Sequence, residues 1–354
     1  MRLLASKLGL LVLGAAPACQ AFLTREAPSD AVNTTGDAST NDVGAPPPDA
    51  GVTSSSAGCG LTERVLRVDL EGTPALLVTD DEGAYFTEQL GDGGTNIASV
   101  TPLLDGGLAF RSVAAPGEPI DVIWPDSNVP GDLRYVRTGP SGQFFLRVNK
   151  SLKALDEVLY VAGPGATRFG PARDKLAIAR NAVPSGRVEI AFANPDVKYS
   201  FERIAQAPSD ESVLELTTDG TAIYMSTATS ILGLSTNGVT ALVPQDAGLT
   251  PTGPIAVSRG VLYGLSGTDI LAVNSSGGPI VRIGQNAVRL AVDDRCVFTV
   301  NSSGELTSAG LDGGSATVVA DAGSANGLRA SVRGVFWTTA FPRRLYAILR
   351  PPPL

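Results

Sequence analysis

IAVSRGVLYGLSGTDILAVNSSGGPIVRI, from Ile255 to Ile283, is the stretch that decides the fold. Its apolar residues fall in short runs, each stopped by a Gly-containing turn: Arg259-Gly260, Gly267-Thr268 and Ser275 to Gly278. Runs this short, rich in Val, Ile, Leu and Tyr and separated by turn residues, read as antiparallel strands rather than helices. The same grammar stands on either side of it. It is seen in VLELTTDGTAIYMSTATSILGLSTNGVTALV from Val213, in LAVDDRCVFTVNSSGELTSAGLDGGSATVV from Leu290, and in LRASVRGVFWTTAFPRRLYAIL from Leu328. Tyr224, Tyr263, Phe298 and Phe336 fall at one place in this register. A period of roughly forty residues with four strands in each is the mark of β-propeller blades.

Working toward the N-terminus, ALLVTDDEGAYFTEQLGDGGTNIASVTPLLDGGLAF from Ala75 repeats the pattern. A second unit begins near Ile120, with DLRYVRT and QFFLRVN in its middle. A third begins near Val158, with DKLAIAR and RVEIAFA in its middle and KYSFERI last. Seven units result. The last stops after its third strand, RLYAIL, while the spare alternating strand RVLRVDL, Arg64 to Leu70, precedes the first unit. A closed ring has no exposed sheet edge, so Arg64 to Leu70 is expected to pair antiparallel with Leu345 to Leu349. The expectation is an all-β, seven-bladed β-propeller of four-stranded antiparallel blades, closed by an N-terminal strand that completes the last blade. Two or three tandem β-sandwich modules are the alternative, since short alternating strands suit both.

Tyr85-Phe86-Thr87-Glu88 and Phe336-Trp337-Thr338-Thr339 resemble degenerate forms of the Tyr-Trp-Thr-Asp repeat of low-density-lipoprotein-receptor-type propellers. More broadly, the blades are similar to those of exported bacterial propeller lipoproteins, in which an Asp-bearing turn precedes the aromatic strand and a Leu-Asp-Gly-Gly turn follows it. The resemblance covers most of Leu61 to Arg350. It implies architecture and no activity.

The N-terminus reads as an address. Arg2 and Lys7 precede an apolar run from Leu8 to Ala16, and Ala16-Pro17-Ala18 leads to Cys19, the order of a signal peptide over 1–18. Ala-Pro-Ala-Cys resembles a bacterial lipobox, with Ala16 in place of the usual Leu, which makes Cys19 the candidate for lipid attachment and the membrane anchor; ordinary cleavage after Ala-x-Ala is the alternative. Residues 19–60, with Pro46-Pro47-Pro48 near the centre, hold too little apolar area to offset their ordering entropy and read as a disordered tether. The propeller is assigned to 61–350 and a Pro-rich tail to 351–354. The expected location is the bacterial envelope, with Gln20 rather than Asp after the cysteine favouring an outer-membrane lipoprotein by resemblance. With Cys19 set aside, Cys59 and Cys296 remain as a candidate disulfide, open until their spacing is known.

Composition narrows the function. The 354 residues are 43% apolar, enough for a substantial core, with 27 basic and 35 acidic residues and a formal charge of −8. That balance argues against nucleic acid as a partner. The chain has no histidine, which removes Ser-His and Cys-His dyads and histidine metal cages. Asp80, Asp81 and Glu82, and the pair Asp293 and Asp294, lie on turns after innermost strands, where carboxylates either cap backbone donors or hold calcium. Asp105 and Asp312, each before Gly-Gly, read as hairpin turns. The recurrent aromatics, with Trp124 and Phe144-Phe145, read as core, and Arg173, Lys175, Arg180 and Arg187 as a solvated face. No other cofactor is implied. The leading expectation is an envelope-anchored, non-catalytic module that binds an envelope protein or a polysaccharide. The alternative is a calcium-dependent hydrolase or lactonase-like propeller using axial carboxylates.

Overall fold

The structure, a computed structural model, describes residues 59–351 apart from 127–131, 140–141, 150–154, 163–165, 172–175, 182–187, 194–200, 207–212 and 236–237. The proposed signal segment, Cys19, the tether up to residue 58 and the end of the Pro-rich tail lie outside the described residues, as do Arg173, Lys175 and Arg187.

Seven four-stranded antiparallel sheets follow one another along the chain. The strand β1 (Val65–Asp69) stands before blade 1, which is β2 (Thr73–Thr79), β3 (Ala84–Gln89), β4 (Thr95–Pro102) and β5 (Leu108–Ala114). Blade 2 is β6 (Ile120–Pro125), β7 (Asp132–Gly139), β8 (Gly142–Asn149) and β9 (Leu155–Ala162). Blade 3 is β10 (Ala166–Pro171), β11 (Leu176–Asn181), β12 (Val188–Ala193) and β13 (Phe201–Gln206). Blade 4 is β14 (Glu215–Thr218), β15 (Ile223–Ser226), β16 (Ile231–Ser235) and β17 (Gly238–Val243). Blade 5 is β18 (Pro251–Ser258), β19 (Val261–Ser266), β20 (Asp269–Asn274) and β21 (Val281–Gly284). Blade 6 is β22 (Ala287–Val292), β23 (Cys296–Asn301), β24 (Glu305–Gly310) and β25 (Gly313–Asp321). Blade 7 is β26 (Ala325–Ser331), β27 (Gly334–Thr339) and β28 (Arg344–Leu349), and β1 is its fourth strand.

The closure is the one the alternation of Arg64 to Leu70 calls for: β1 runs antiparallel to β28, with Val65 opposite Ile348 and Asp69 opposite Arg344. Leu66 and Val68 then join Leu345, Ala347 and Phe336 in the apolar layer shared with blade 1. The closing strand therefore supplies core as well as hydrogen bonds.

One boundary differs from the sequence reading. Val158 does not open the third blade; it lies in β9, the outermost strand of blade 2, and the third blade begins at Ala166. The reason is steric. Innermost strand β10 (ATRFGP) carries Gly170 where other blades carry a larger residue, because blade 4 comes too close. A Cβ on Gly170 would meet the Leu216 backbone at 2.9 Å. Stripped of an apolar side chain there, β10 does not look like an inner strand, whereas the apolar β9 does.

The core consists of seven apolar layers, one between each pair of neighbouring blades. A cross-strand rule spaces them. In blades 1, 4, 5, 6 and 7 the main aromatic on the second strand faces a small residue on the third: Tyr85 faces Ser99, Tyr224 faces Gly233, Tyr263 faces Ala272, Phe298 faces Ser308 and Phe336 faces Ala347. A ring needs lateral room that a small partner leaves, and all five rings are buried.

Candidate functional site

In antiparallel blades the first and third hairpin turns lie at one end of the ring and the second turn at the other. The acidic turns singled out in the sequence are first turns, so they share an end, but not a site. Asp80 and Asp81 lie on blade 1 and Asp293 and Asp294 on blade 6, with blade 7 between them.

Each of these residues has a local task. Asp80 Oδ1 accepts the backbone N–H of Glu82 at 2.8 Å and of Gly83 at 3.0 Å, while the Tyr85 hydroxyl donates to Glu82 Oε2 at 3.2 Å. Burial, with Asp80 and Glu82 alongside, pushes the Tyr85 phenol far above its ordinary range. The backbone carbonyl of Asp81 accepts Arg333 Nε from blade 7. Asp294 is exposed, 3.8 Å from Arg259. Asp105 caps its own hairpin through the N–H of Gly107. Among the described residues, no group of three or more His, Cys, Asp or Glu side chains is placed to hold a metal ion.

Asp293 is the centre of a clasp. Its Oδ1 accepts the N–H groups of Arg295 and Cys296 at 2.8 and 2.9 Å, and its Oδ2 accepts Arg350 at 2.5 Å. Buried Arg350 also donates to Cys59 O at 3.0 Å and Ser331 O at 2.6 Å, and stands over the Phe298 ring. A disulfide joins Cys59 to Cys296, with Cα atoms 6.0 Å apart. One guanidinium thus ties the two ends of the propeller to the first turns of blades 6 and 7. The sequence reading passed over Arg350; its signal was an isolated cation directly after the last strand.

A second charged constellation lines the axis, where the seven innermost strands meet. Counting from the residue opposite the aromatic, Asp121, Glu215 and Arg289 each stand two positions earlier, and Arg329 stands opposite Phe336 itself. Arg168 of blade 3 reaches across to Leu214 O at 3.1 Å. Glu215 and Arg329 come from blades 4 and 7, on opposite sides of the ring, yet they feel one another. Burial raises the Glu215 pKa, with Arg329 and then Arg168 opposing the rise; burial lowers the Arg329 pKa, with Glu215 opposing the fall. Arg329 is exposed, and its Nη1 donates to Leu328 O at 2.8 Å. Arg289 is half-buried; its Nη1 donates to Val288 O, and its Nε is shielded from water without a partner. Neither Arg289, Arg329 nor Glu215 was singled out in the sequence, because each is an isolated polar residue in an apolar strand and only the ring brings them together.

Of the remaining aromatics, Trp124 and Tyr135 are buried and Phe144 packs at the margin of the blade 1–blade 2 layer under Arg137. The side chains of Phe145 and Arg180 lie outside the described residues.

No protein-family model matches the chain, and no characterised protein matches it in sequence. Solved structures share its architecture. The computationally designed Ika8 protein is 8% identical over 79% of this chain and 98% of its own, with a TM-score of 0.53. A chain of the Mitotic Checkpoint Complex is 13% identical over 86% of this chain and 96% of its own, at 0.56. BamB from Moraxella catarrhalis is 11% identical over 82% of this chain and 99% of its own, at 0.50. At these identities the likeness shows the fold, a seven-bladed propeller, and nothing about activity.

Proposed function

We propose that this protein is a non-catalytic binding module, held at the bacterial envelope by a lipid on Cys19 and a flexible tether, that presents its hairpin tips to a protein partner. The observation that carries the reading is Leu104. It is 99% exposed at the tip of the β4–β5 hairpin, beside the exposed Leu103, at the same end of the ring as exposed Val332 on the neighbouring blade 7. Aliphatic side chains held out on rigid hairpins suit a protein surface better than a polysaccharide. Meanwhile the carboxylates that a calcium-dependent enzyme would need are committed to turn caps, to the clasp, or to separate blades.

The test is site-specific photocrosslinking in cells that make the protein, with the reactive group at position 104 or, as control, at exposed position 246. A discrete protein adduct at 104, absent at 246 and lost in Leu103→Asp, is expected. Identical products at the two positions, or adducts to polysaccharide alone, would overturn the protein-partner reading. In the same cells Cys19→Ser should move the chain from the membrane to the soluble fraction; retention in the membrane would overturn the anchor.

A further inference from the structure

We propose that the end of the ring opposite Leu104 docks a basic, arginine-bearing segment of a protein, with Phe341 as its anchor. This surface is independent of the one at Leu104, and the two together make the propeller a bridge between partners.

Phe341 is 80% exposed at the tip of the β27–β28 hairpin, and no other described aromatic stands so far into water. Covering such a ring recovers apolar area that the fold itself leaves wet. Its turn is pinned on both sides. Thr339 Oγ1 donates to Pro342 O at 2.5 Å, the Leu70 N–H donates to Arg343 O at 2.9 Å, and Arg343 Nη1 donates to Glu71 O at 2.8 Å. A partner that covers the ring therefore does not have to order the turn that carries it.

The charge on either side of the ring selects the partner. Toward blade 1, a Cβ on Gly72 would meet Gln89 O at 2.8 Å, which sets Glu71 beside the β3–β4 turn and its Asp92. Toward blade 6, the Ala322 N–H donates to Gly304 O at 2.7 Å, which sets Asp321 beside the β23–β24 turn and Glu305. Ala325, a few residues further on, stands opposite Thr339 at the base of the Phe341 turn. Glu71, Asp92, Glu305 and Asp321 are all exposed, and none has an ion-pair partner among the described residues. Three of the four carboxylates accept uncharged donors alone: Gly94 N–H on Asp92, Asn301 and Ser303 on Glu305, and Gly323 N–H on Asp321. Of the two arginines beside them, Arg344 is committed to Asp69 at 2.6 Å and Arg343 reaches the Glu71 carbonyl. An anchor with an excess of carboxylates on both flanks is complementary to a cation-bearing surface. A guanidinium uses both features, because it stacks on a ring face and its fork meets a carboxylate. Carboxylates spread from blade 6 to blade 1 suit a run of cations along a segment, since exposed ion pairs are individually weak and only their sum holds a partner.

The test is fluorescence anisotropy of a labelled octapeptide of alternating arginine and serine, titrated with the full chain. Saturable binding is expected, and the matching peptide of glutamate and serine should not bind. Phe341→Ala should weaken binding of the arginine peptide by about threefold to tenfold. Phe341→Leu keeps apolar area without a ring face and should weaken it as well. Asp92→Asn and Asp321→Asn keep an oxygen to cap Gly94 and Gly323, and should each weaken binding by about twofold and make it less sensitive to salt. Two controls should leave it unchanged: Asp246→Asn, an equal loss of exposed charge between blades 4 and 5, and Leu104→Ser at the other end of the ring. Binding of spermine with the arginine peptide left unbound would overturn the assignment to a protein segment. No saturable binding, full affinity in Phe341→Ala, or the same loss in Asp246→Asn as in Asp92→Asn would overturn the surface itself.

Discussion

Blades 4 to 7 and blades 2 and 3 solve the same packing problem in different ways. In the former, a ring on the second strand faces a small residue on the third, as Phe298 faces Ser308. In blade 3 the pair is transposed: Ala177 is on the second strand, and Phe192 on the third. Blade 2 abandons the pairing, setting Tyr135 opposite Leu146 and burying an ion pair, Arg134 to Asp126 at 2.6 Å, beside its first turn. The layers stay filled in all three cases. What the fold demands is a summed volume between neighbouring sheets; which strand delivers it is free to vary.

The sharpest way to break that comparison is to exchange the members of the transposed pair. Phe192→Ala should cost about 3–5 kcal/mol by leaving a cavity among Ala179, Ile190 and Leu216. Ala177→Phe alone should cost about 1–3 kcal/mol by overpacking. The double variant restores the order of the other blades, and urea unfolding should show it recovering about 2 kcal/mol of the summed loss. Strict additivity would mean that strand identity, not volume, governs the layer.

A second contrast concerns buried charge. The clasp at the closing seam and the Arg134 pair in blade 2 have the same chemistry but different surroundings. When Asp293 loses its charge, Arg350 still donates to two backbone carbonyls. Arg134 is only 1% exposed against 8% for Arg350, so removing the Asp126 charge perturbs a cation held at greater depth. Asp126→Asn should therefore cost about 3–5 kcal/mol and Asp293→Asn about 1–3 kcal/mol. Equal losses in thermal or urea unfolding would show that depth of burial does not set the cost.

The same contrast explains what the sequence could show. The blade period was legible where a Tyr or Phe follows an acidic or Arg-Gly turn, because turn chemistry and apolar alternation are local. The closing strand was legible for the same reason, its alternation matching RLYAIL. Blade 3 was misplaced at its start because Gly170 answers a neighbour, Leu216, that lies far along the chain. The clasp and the axial arginines were hidden more completely. Nothing local separates Arg329 from any exposed arginine, and its position opposite Glu215 exists only once seven blades have closed. Turn caps are written in adjacent residues; sites built across the ring are written in its curvature.

The smallest expected effect distinguishes the hydroxylated rings from the plain ones. Phe336 offers its layer only area, whereas the Tyr224 hydroxyl donates to Asp219 Oδ2 at 2.7 Å. Burial, then the hydrogen bond to that carboxylate, lifts the Tyr224 pKa to about 12. Burial alone would raise Asp219, but the N–H of Ala222, the Tyr224 hydroxyl and Thr221 outweigh it and hold Asp219 below its ordinary value. The signs are opposite. The tyrosine's contribution is complete below its unfolded pKa of about 10 and is lost as pH rises through about 12. The aspartate's contribution is present above its unfolded pKa and is lost as pH falls through the lowered one. Tyr224→Phe makes blade 4 resemble blades 6 and 7. It should cost about 1–2 kcal/mol near neutrality. It should also remove the phenolate step near pH 12 from an ultraviolet titration and move the acid unfolding midpoint upward, because Asp219 loses one of the donors that hold it ionised. An unchanged acid midpoint would leave the Ala222 and Thr221 contacts as sufficient for the Asp219 shift, and would reduce the Tyr224 hydroxyl to the same space-filling role as Phe336.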